Sequence, residues 1–174
     1  MDKLDICFQI KGDILYRIMD FIFKGVMNIS GKQLGFISDI IVDFNARKIN
    51  GFVITSNNIF KKPLNVNIKD VVNYTSVMVV TEVNREKYLQ FKEIKNMNVV
   101  DKSGELIGVV EDILFDREKF SIKAVIISTG FMNNFIKGKK ILLIDDLILG
   151  DRNLLYRGKN QNIKFFNSVH RFIR

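Results

Sequence analysis

Short apolar runs with an alternating apolar and polar pattern predict β-strands along most of the chain. The runs are rich in Val, Ile and Phe, which suit a pleated and packed surface, and they are separated by Gly, Asn, Ser and Lys. They lie at 26–29, 36–44, 49–55, 64–67 and 77–83, and again at 99–100, 109–116, 122–128, 141–143 and 153–156. Single helical turns are predicted at 69–72 and 145–148. The pattern indicates an all-β protein.

Two segments of the chain repeat each other at an offset of 73 residues. Residues 31–54 align with residues 104–127, with seven identical positions and mostly apolar exchanges elsewhere. Past a loop the offset becomes 76, which places three extra residues between Ser128 and Lys140. The repeat predicts two small antiparallel barrels, because closure of so short a sheet removes its free edges. The predicted organisation is an N-terminal extension at 1–17, domains at 18–90 and 91–157, and a basic amphipathic tail at 158–174.

The spacing of Gly and Asp in both copies resembles that of the PRC-barrel family. The first copy has Gly31, Gly35, Asp39 and Asp43 at intervals of four residues, and the second repeats this from Gly104 to Asp116. The chain also resembles the two-barrel proteins of clostridia and bacilli, which implies a bacterial origin. The family includes the barrel of the photosynthetic reaction-centre H subunit and the C-terminal domain of the ribosome maturation factor RimM. The resemblance implies two PRC-type barrels in tandem and a binding or assembly role, without a defined activity.

Two segments, one near each end of the chain, have apolar residues at helix-like spacing. In residues 13–23 the apolar residues Ile14, Leu15, Ile18, Met19 and Ile22 fall on one side of a short helix, although the repeat favours a strand at the end of this segment. Alternation in 4–10 indicates an extra strand or a disordered leader. In the tail, Phe165, Phe166, Val169, Phe172 and Ile173 also have helical spacing, so the tail either packs on its own domain or contacts a partner.

Composition excludes most catalytic and metal chemistry. One Cys and one His leave no zinc cluster and make a Ser-His or Cys-His pair improbable. Gly130 to Lys139 ends like a phosphate loop, but the glycine spacing is wrong and no Ser or Thr follows the lysine. We therefore predict no catalytic residues, no cofactor and no metal. A single Cys, no secretory signal and no membrane span predict a cytoplasmic protein.

Acidic residues within the strands allow two interpretations. Asp39 and Asp112 either form an acidic site for a cation or basic partner, or accept hydrogen bonds from backbone N–H groups. Asp43 and Asp116 are predicted to start the hairpin turns. Alternation also predicts that two apolar pairs face outward, where barrel could pack on barrel unless a β-bulge shifts the register. These pairs are Ile37 with Ile41 and Val110 with Leu114.

The candidate partner-binding residues lie on one loop and in the tail. The loop at 129–140 is longer than its counterpart at 56–62 and carries apolar side chains beside lysines, so it either plugs the barrel mouth or binds a partner. Beyond Asp151 six basic residues and no acidic residue follow, which contributes six of the net +8 charges. The predicted residues are Phe131, Met132, Phe135, Lys137, Lys139, Lys140, Lys164, Arg171 and Arg174.

The leading hypothesis is a non-enzymatic binding or assembly module whose partner is a protein. The alternative is an RNA- or ribosome-associated factor that uses the basic tail, as the resemblance to RimM implies; a membrane surface ranks below both. No small-molecule substrate is evident, and the sequence does not determine homo-oligomerisation. Salt separates the two hypotheses, since RNA affinity falls steeply with ionic strength.

Overall fold

A computed structural model describes residues 8–10, 13–58, 60–130, 139–158 and 164–166 of the chain. Within these ranges the chain is almost entirely β-structure, as predicted. The strands are β1 Phe8–Ile10, β2 Asp13–Arg17, β3 Gly25–Asn28, β4 Gln33–Asp43, β5 Lys48–Thr55, β6 Leu64–Asn67, β7 Val71–Tyr74, β8 Val77–Val80, β9 Asn98–Val100, β10 Leu106–Asp116, β11 Ser121–Ser128, β12 Lys139–Leu143, β13 Leu147–Leu149, β14 Asn153–Tyr156 and β15 Lys164–Phe166. The helical elements are α1 Phe91–Ile94 and the 3₁₀ turns Ile18–Asp20, Ile68–Asp70 and Ile144–Asp146.

The two copies of the repeat have matching elements and matching backbone conformations. β10 and β11 follow β4 and β5 at the offset of 73 residues, and the last 3₁₀ turn and β14 follow their counterparts at 76. Left-handed φ values recur at four equivalent pairs of positions. These pairs are Phe23 and Asn96, Gly31 and Gly104, Gly35 and Gly108, and Arg47 and Phe120. The repeat is therefore a repeat of conformation as well as of sequence.

The chain divides into two compact units. Unit 1 comprises 1–93 and 115–122, and unit 2 comprises 94–114 and 123–174. The division follows the repeat except at 115–122, the tip of the β10–β11 hairpin, which belongs to unit 1. The domain boundaries inferred from the repeat remain predictions.

Each unit has the same strand order. In unit 1, β6 pairs with β5, β5 with β4, β4 with β3, β3 with β8 in parallel, and β8 with β7. In unit 2, β12 pairs with β11, β10 with β9, β9 with β14 in parallel, and β14 with β13. β10 and β11 are neighbours in the sheet. The N-terminal β1 and β2 form an antiparallel hairpin.

The predicted outward orientation of Ile37, Ile41, Val110 and Leu114 from each barrel remains a prediction, since packing of barrel on barrel would bury them as well. Each of these residues is at most 1% exposed. Register shifts in the β4–β5 pairing, between Ile37 and Asp39 and between Ile41 and Val42, break the simple alternation along β4. β-Bulges of this kind re-aim side chains, so consecutive residues from Asp39 to Val42 are all buried.

The helix predicted over 13–23 is wrong outside Ile18–Asp20. Residues 13–17 form β2, which pairs with β1, and only Ile18–Asp20 are helical, as a 3₁₀ turn. The extra strand predicted within 4–10 is confirmed at Phe8–Ile10. In the tail, Lys164–Phe166 form a strand that pairs with Lys139–Ile141, so the helical interpretation is wrong for these three residues. In both segments, pairing with a neighbouring strand overrides the helix-like spacing of the apolar residues.

Candidate functional site

Asp39 and Asp112 occupy equivalent buried positions in β4 and β10. Asp39 is 6% exposed and Asp112 is 2% exposed. In each carboxylate Oδ1 accepts a 2.8 Å hydrogen bond from the N–H of the following residue, Ile40 or Ile113. Oδ2 of Asp39 also accepts a bond of 3.1 Å from the N–H of Lys92, in α1. The geometry favours the structural interpretation of these residues, with Asp39 joining β4 to α1.

Burial raises the pKa of the Asp39 carboxyl above its ordinary value of 3.8. Removal from water disfavours the charged form, and this outweighs the opposing effects of the N–H bonds from Ile40 and Lys92 and of the Lys92 ammonium. Burial of the charged Asp39 carboxylate therefore costs free energy, and the packing of unit 1 keeps the side chain in place.

The other acidic residues singled out from the sequence lie in turns. Oδ1 of Asp43 accepts the N–H of Ala46 at 2.8 Å, and Oδ1 of Asp116 accepts the N–H of Glu118 at 2.8 Å, which confirms their role in the hairpin turns. Asp145 and Asp146 lie in the last 3₁₀ turn. Across the described residues, no three His, Cys, Asp or Glu side chains gather closely enough to hold a metal ion.

The loop between β5 and β6 displays an aromatic side chain to solvent. The phenyl ring of Phe60 is 90% exposed, the highest value among the large apolar side chains whose exposure the structure gives. The turn is held by three bonds: Asn58 N–H donates to Ser56 Oγ at 3.2 Å, Phe60 N–H to Asn58 Oδ1 at 3.0 Å, and Lys61 N–H to the Asn58 carbonyl at 3.0 Å. The ring is thus exposed for contact with a partner.

Other exposed apolar residues lie at the same end of the unit 1 sheet. β3 ends, β4 begins, β5 ends and β6 begins at this end, since these neighbours are antiparallel. Ile29, in the turn between β3 and β4, is 68% exposed, and Val83, just beyond β8, is 40% exposed. The Ile29 N–H donates to the Val80 carbonyl at 3.1 Å, which brings the ends of β3 and β8 together. We call this the turn-end surface and define it by Ile29, Lys32, Phe60, Lys61, Lys62, Glu82 and Val83.

The turn-end surface has a basic rim. Lys32, Lys61 and Lys62 are exposed there, against one acid of the defined set, Glu82. The sequence from Phe44 to Lys69 contains five basic residues and no acid. The surface can therefore offer apolar contact at its centre and cationic contact at its edge.

The partner-binding residues predicted from the sequence are placed unevenly. Phe131, Met132, Phe135, Lys137, Arg171 and Arg174 lie outside the described residues. Lys139 and Lys140 are half-buried in β12, and Lys164 lies in β15, paired with Ile141. The Lys139 ammonium forms an ion pair with Glu111, which leaves less of its charge for a partner. The predicted site residues remain a prediction.

Two exposed residues were missed by the sequence reasoning. The sequence pattern places Ile29 in a strand and Phe23 in a helix. Phe23 is 73% exposed, has φ +68° and packs its ring on Phe36 with centroids 6.0 Å apart. The offset could have identified its conformation, because Phe23 aligns with Asn96, a residue type that tolerates the left-handed region. Phe60 could likewise be matched to Ile136, since both precede a lysine.

Comparison with known families agrees with the conformational repeat. The model of the PRC-barrel domain family matches the chain twice, at residues 13–88 and 86–149. The chain belongs to the PRC-barrel family. It carries two PRC-barrel domains in tandem, as the spacing of Gly and Asp predicted. None of the curated proteins matches the chain.

One further observation concerns membranes. Among the residues that the structure describes, no helix combines the length and the apolar character needed to cross a bilayer.

Proposed function

We propose that this tandem PRC-barrel protein is a non-catalytic cytoplasmic module that binds another protein through the turn-end surface of unit 1. The exposure of Phe60 in a hydrogen-bonded turn carries the proposal. An aromatic ring on a loop gains most of its burial only when a partner covers it, and such rings are frequent hot spots of protein interfaces. A ring exposed without a partner contributes little to the stability of the fold.

The composition of the surface favours a protein over RNA. Ile29 and Val83 present aliphatic side chains, which bury area against a protein but give no platform on which bases stack. The three lysines around them suit a partner whose apolar pocket is bordered by Asp or Glu. The same loop of the second copy has the sequence Phe135-Ile136-Lys137 where the first has Ile59-Phe60-Lys61, so a second contact of the same chemistry is encoded.

The proposal includes closure of each unit into a barrel that supports these loops. In unit 1 the two end strands of the order are β6 and β7, and a single 3₁₀ turn, Ile68–Asp70, joins them in sequence. The Asn67 side-chain amide donates to Asp70 Oδ2 at 3.4 Å across this connection. In unit 2, β12 and β13 are joined in the same way by Ile144–Asp146. Short connections between the two end strands favour a closed cylinder.

The proposal is tested by capture of partners with matched variants. Immobilised wild-type chain, Phe60→Ser and Leu106→Ser are exposed to a lysate of the source organism. Leu106 is 60% exposed on unit 2, so its substitution controls for the loss of any exposed apolar side chain. A protein retained by wild type and Leu106→Ser but lost by Phe60→Ser supports the proposal.

Two results would overturn it. Equal retention by all three chains would remove Phe60 from the interface. Recovery of RNA in place of protein, with an affinity that falls steeply between low and high salt, would favour the RNA-associated alternative.

A further inference from the structure

The tip of the β10–β11 hairpin is a part of unit 1 that comes from the second copy of the repeat. Residues 115–122 belong to unit 1, whereas the strands that carry them, 106–114 and 123–128, belong to unit 2. The contacts of this tip lie with residues at 16–74 of the chain. They define a receptor, which we call the tip receptor, formed by Tyr16, Phe21, Arg47, Lys48, Ile49, Phe52 and Tyr74.

Backbone bonds fix the register of the tip on β5. The Ile49 N–H donates to the Phe120 carbonyl at 2.8 Å, and the Ile122 N–H donates to the Arg47 carbonyl at 2.8 Å. Lys48 and Ser121 lie opposite each other between these bonds. The two bonds are equivalent under the 73-residue offset, so each hairpin tip makes the same contact with the other.

Aromatic rings of the tip complete the core of unit 1. The Phe115 ring lies 5.2 Å from Phe21, and the Phe120 ring packs edge-on against Phe52 at 6.2 Å and Tyr74 at 5.6 Å. Phe120 is 6% exposed although its φ is +49°, a strained value for an aromatic residue. Arg47 has the same left-handed conformation at the equivalent position of the first copy, so this φ belongs to the hairpin turn itself.

A single arginine extends this contact at the edge of the core. The Arg117 guanidinium carbon lies 5.0 Å from the Tyr74 ring centroid and 5.7 Å from that of Tyr16. One guanidinium nitrogen also donates to the Tyr74 carbonyl at 3.2 Å. The receptor thus recognises an Arg between two Phe residues on a β-hairpin.

We propose that the tip receptor also accepts the hairpin tip of a second copy of the chain, which gives a hairpin-exchanged dimer. Each contact described above joins residues 115–122 to residues 16–74, so a tip from another chain satisfies the receptor equally well. The tether favours the chain's own tip, through an effective concentration on the order of 1 mM for a short connection. Exchange of a whole tip is a low-cost route to a dimer, and this inference does not rest on the proposed function.

Cysteine pairing across the register measures the exchange. Two full-length chains in a Cys7→Ser background, one with Lys48→Cys and one with Ser121→Cys, are unfolded together, refolded and oxidised. Residues 48 and 121 form a non-hydrogen-bonded antiparallel pair, whose Cα separation of about 4.5 Å suits a disulfide. The Ser121 hydroxyl is buried, so a thiol there is shielded from random collisions.

A covalent dimer of twice the 20.2 kDa chain mass is expected only from the mixture of both chains. At about 0.2 mM protein, roughly a tenth of the chains should be linked, and the fraction should rise with concentration. The chain with both substitutions is the control for geometry and should form the intrachain disulfide. If this control chain forms its disulfide while the mixture stays monomeric, exchange is excluded. If the control chain forms no disulfide, the tip does not lie on the tip receptor as described.

Discussion

Gly35 and its counterpart Gly108 lie where the backbone of the next strand leaves no room for a side chain. Gly35 has φ +148° and Gly108 has φ +157°. A Cβ would lie 2.1 Å from the Thr55 carbonyl oxygen in the first case and 2.4 Å from the Ser128 carbonyl oxygen in the second. Gly31 also has a positive φ, +79°, but a Cβ there would meet nothing within 4 Å. A comparison of Gly35 with Gly31 therefore separates the effect of crowding from that of backbone strain.

We expect Gly35→Ala to destabilise the protein far more than Gly31→Ala. Gly31→Ala should lower the free energy of unfolding by about 1 kcal/mol, the cost of a left-handed alanine. Gly35→Ala adds a clash with main-chain atoms and should lower it by about 3 kcal/mol or more. Urea unfolding followed by far-UV circular dichroism measures both. Equal losses would show that β4 and β5 can separate without cost.

The raised pKa of Asp39 predicts a pH-dependent contribution to stability. In the folded state the carboxyl keeps its proton at pH values where the unfolded chain, with a pKa of 3.8, has lost it. The contribution of Asp39 is therefore most favourable below 3.8 and is lost as the pH rises through the folded-state value. Relative to Asp39→Asn, wild type should lose free energy of unfolding as the pH rises from 3.8 through the folded-state pKa of Asp39.

Urea titrations of both chains across that range give the difference directly. The substitution keeps the shape of the side chain and one acceptor oxygen, so the remaining pH dependence of the protein cancels in the comparison. A difference that stays constant with pH would mean that burial does not disfavour the Asp39 charge.

At the scale of elements, local pattern identified the hairpins but not the faces of their strands. The β4–β5 and β10–β11 hairpins could be predicted because apolar β-branched runs flank polar turns that begin at Asp43 and Asp116. The bulges near Asp39 could not, since they depend on pairing with β5. Residues 13–17 have spacing that fits a helix, and pairing with β1 makes them a strand.

Because Arg117 contacts two tyrosine rings, its substitution should lower the stability of the protein. Arg117→Ala removes the guanidinium contacts with Tyr16 and Tyr74 and the bond to the Tyr74 carbonyl. The free energy of unfolding should fall by about 1–3 kcal/mol. Arg117→Lys keeps the charge but loses the planar fork, so it should recover only part of this. Tyrosine fluorescence serves as the probe, since the chain contains no Trp. Full recovery by Lys would reduce the contact to charge alone.

At the scale of the whole molecule, the repeat predicted two PRC-barrel domains but not which residues complete each core. Sequence similarity marks copies, whereas compact units depend on contacts between residues far apart in the chain. The candidate surface followed the same limit. Phe60 could be identified from the sequence, because its loop corresponds to the longer loop of the second copy. Ile29 and Val83 could not, since the pairing of β3 with β8 places them at the same end of the sheet.

Because the tip belongs to unit 1, residues 1–93 alone should fail to fold cooperatively. The fragment lacks the rings of Phe115 and Phe120, and loss of one buried phenyl ring costs about 3–5 kcal/mol. Two such losses, about 6–10 kcal/mol, approach the whole stability of a small domain, about 5–15 kcal/mol. Amide spectra of the fragment should show poor dispersion, and co-expression with residues 94–174 should restore it by returning the tip to its receptor. A fragment that unfolds cooperatively by itself, at the denaturant midpoint of the full chain, would show that Phe21 and Phe52 form a sufficient core without the tip.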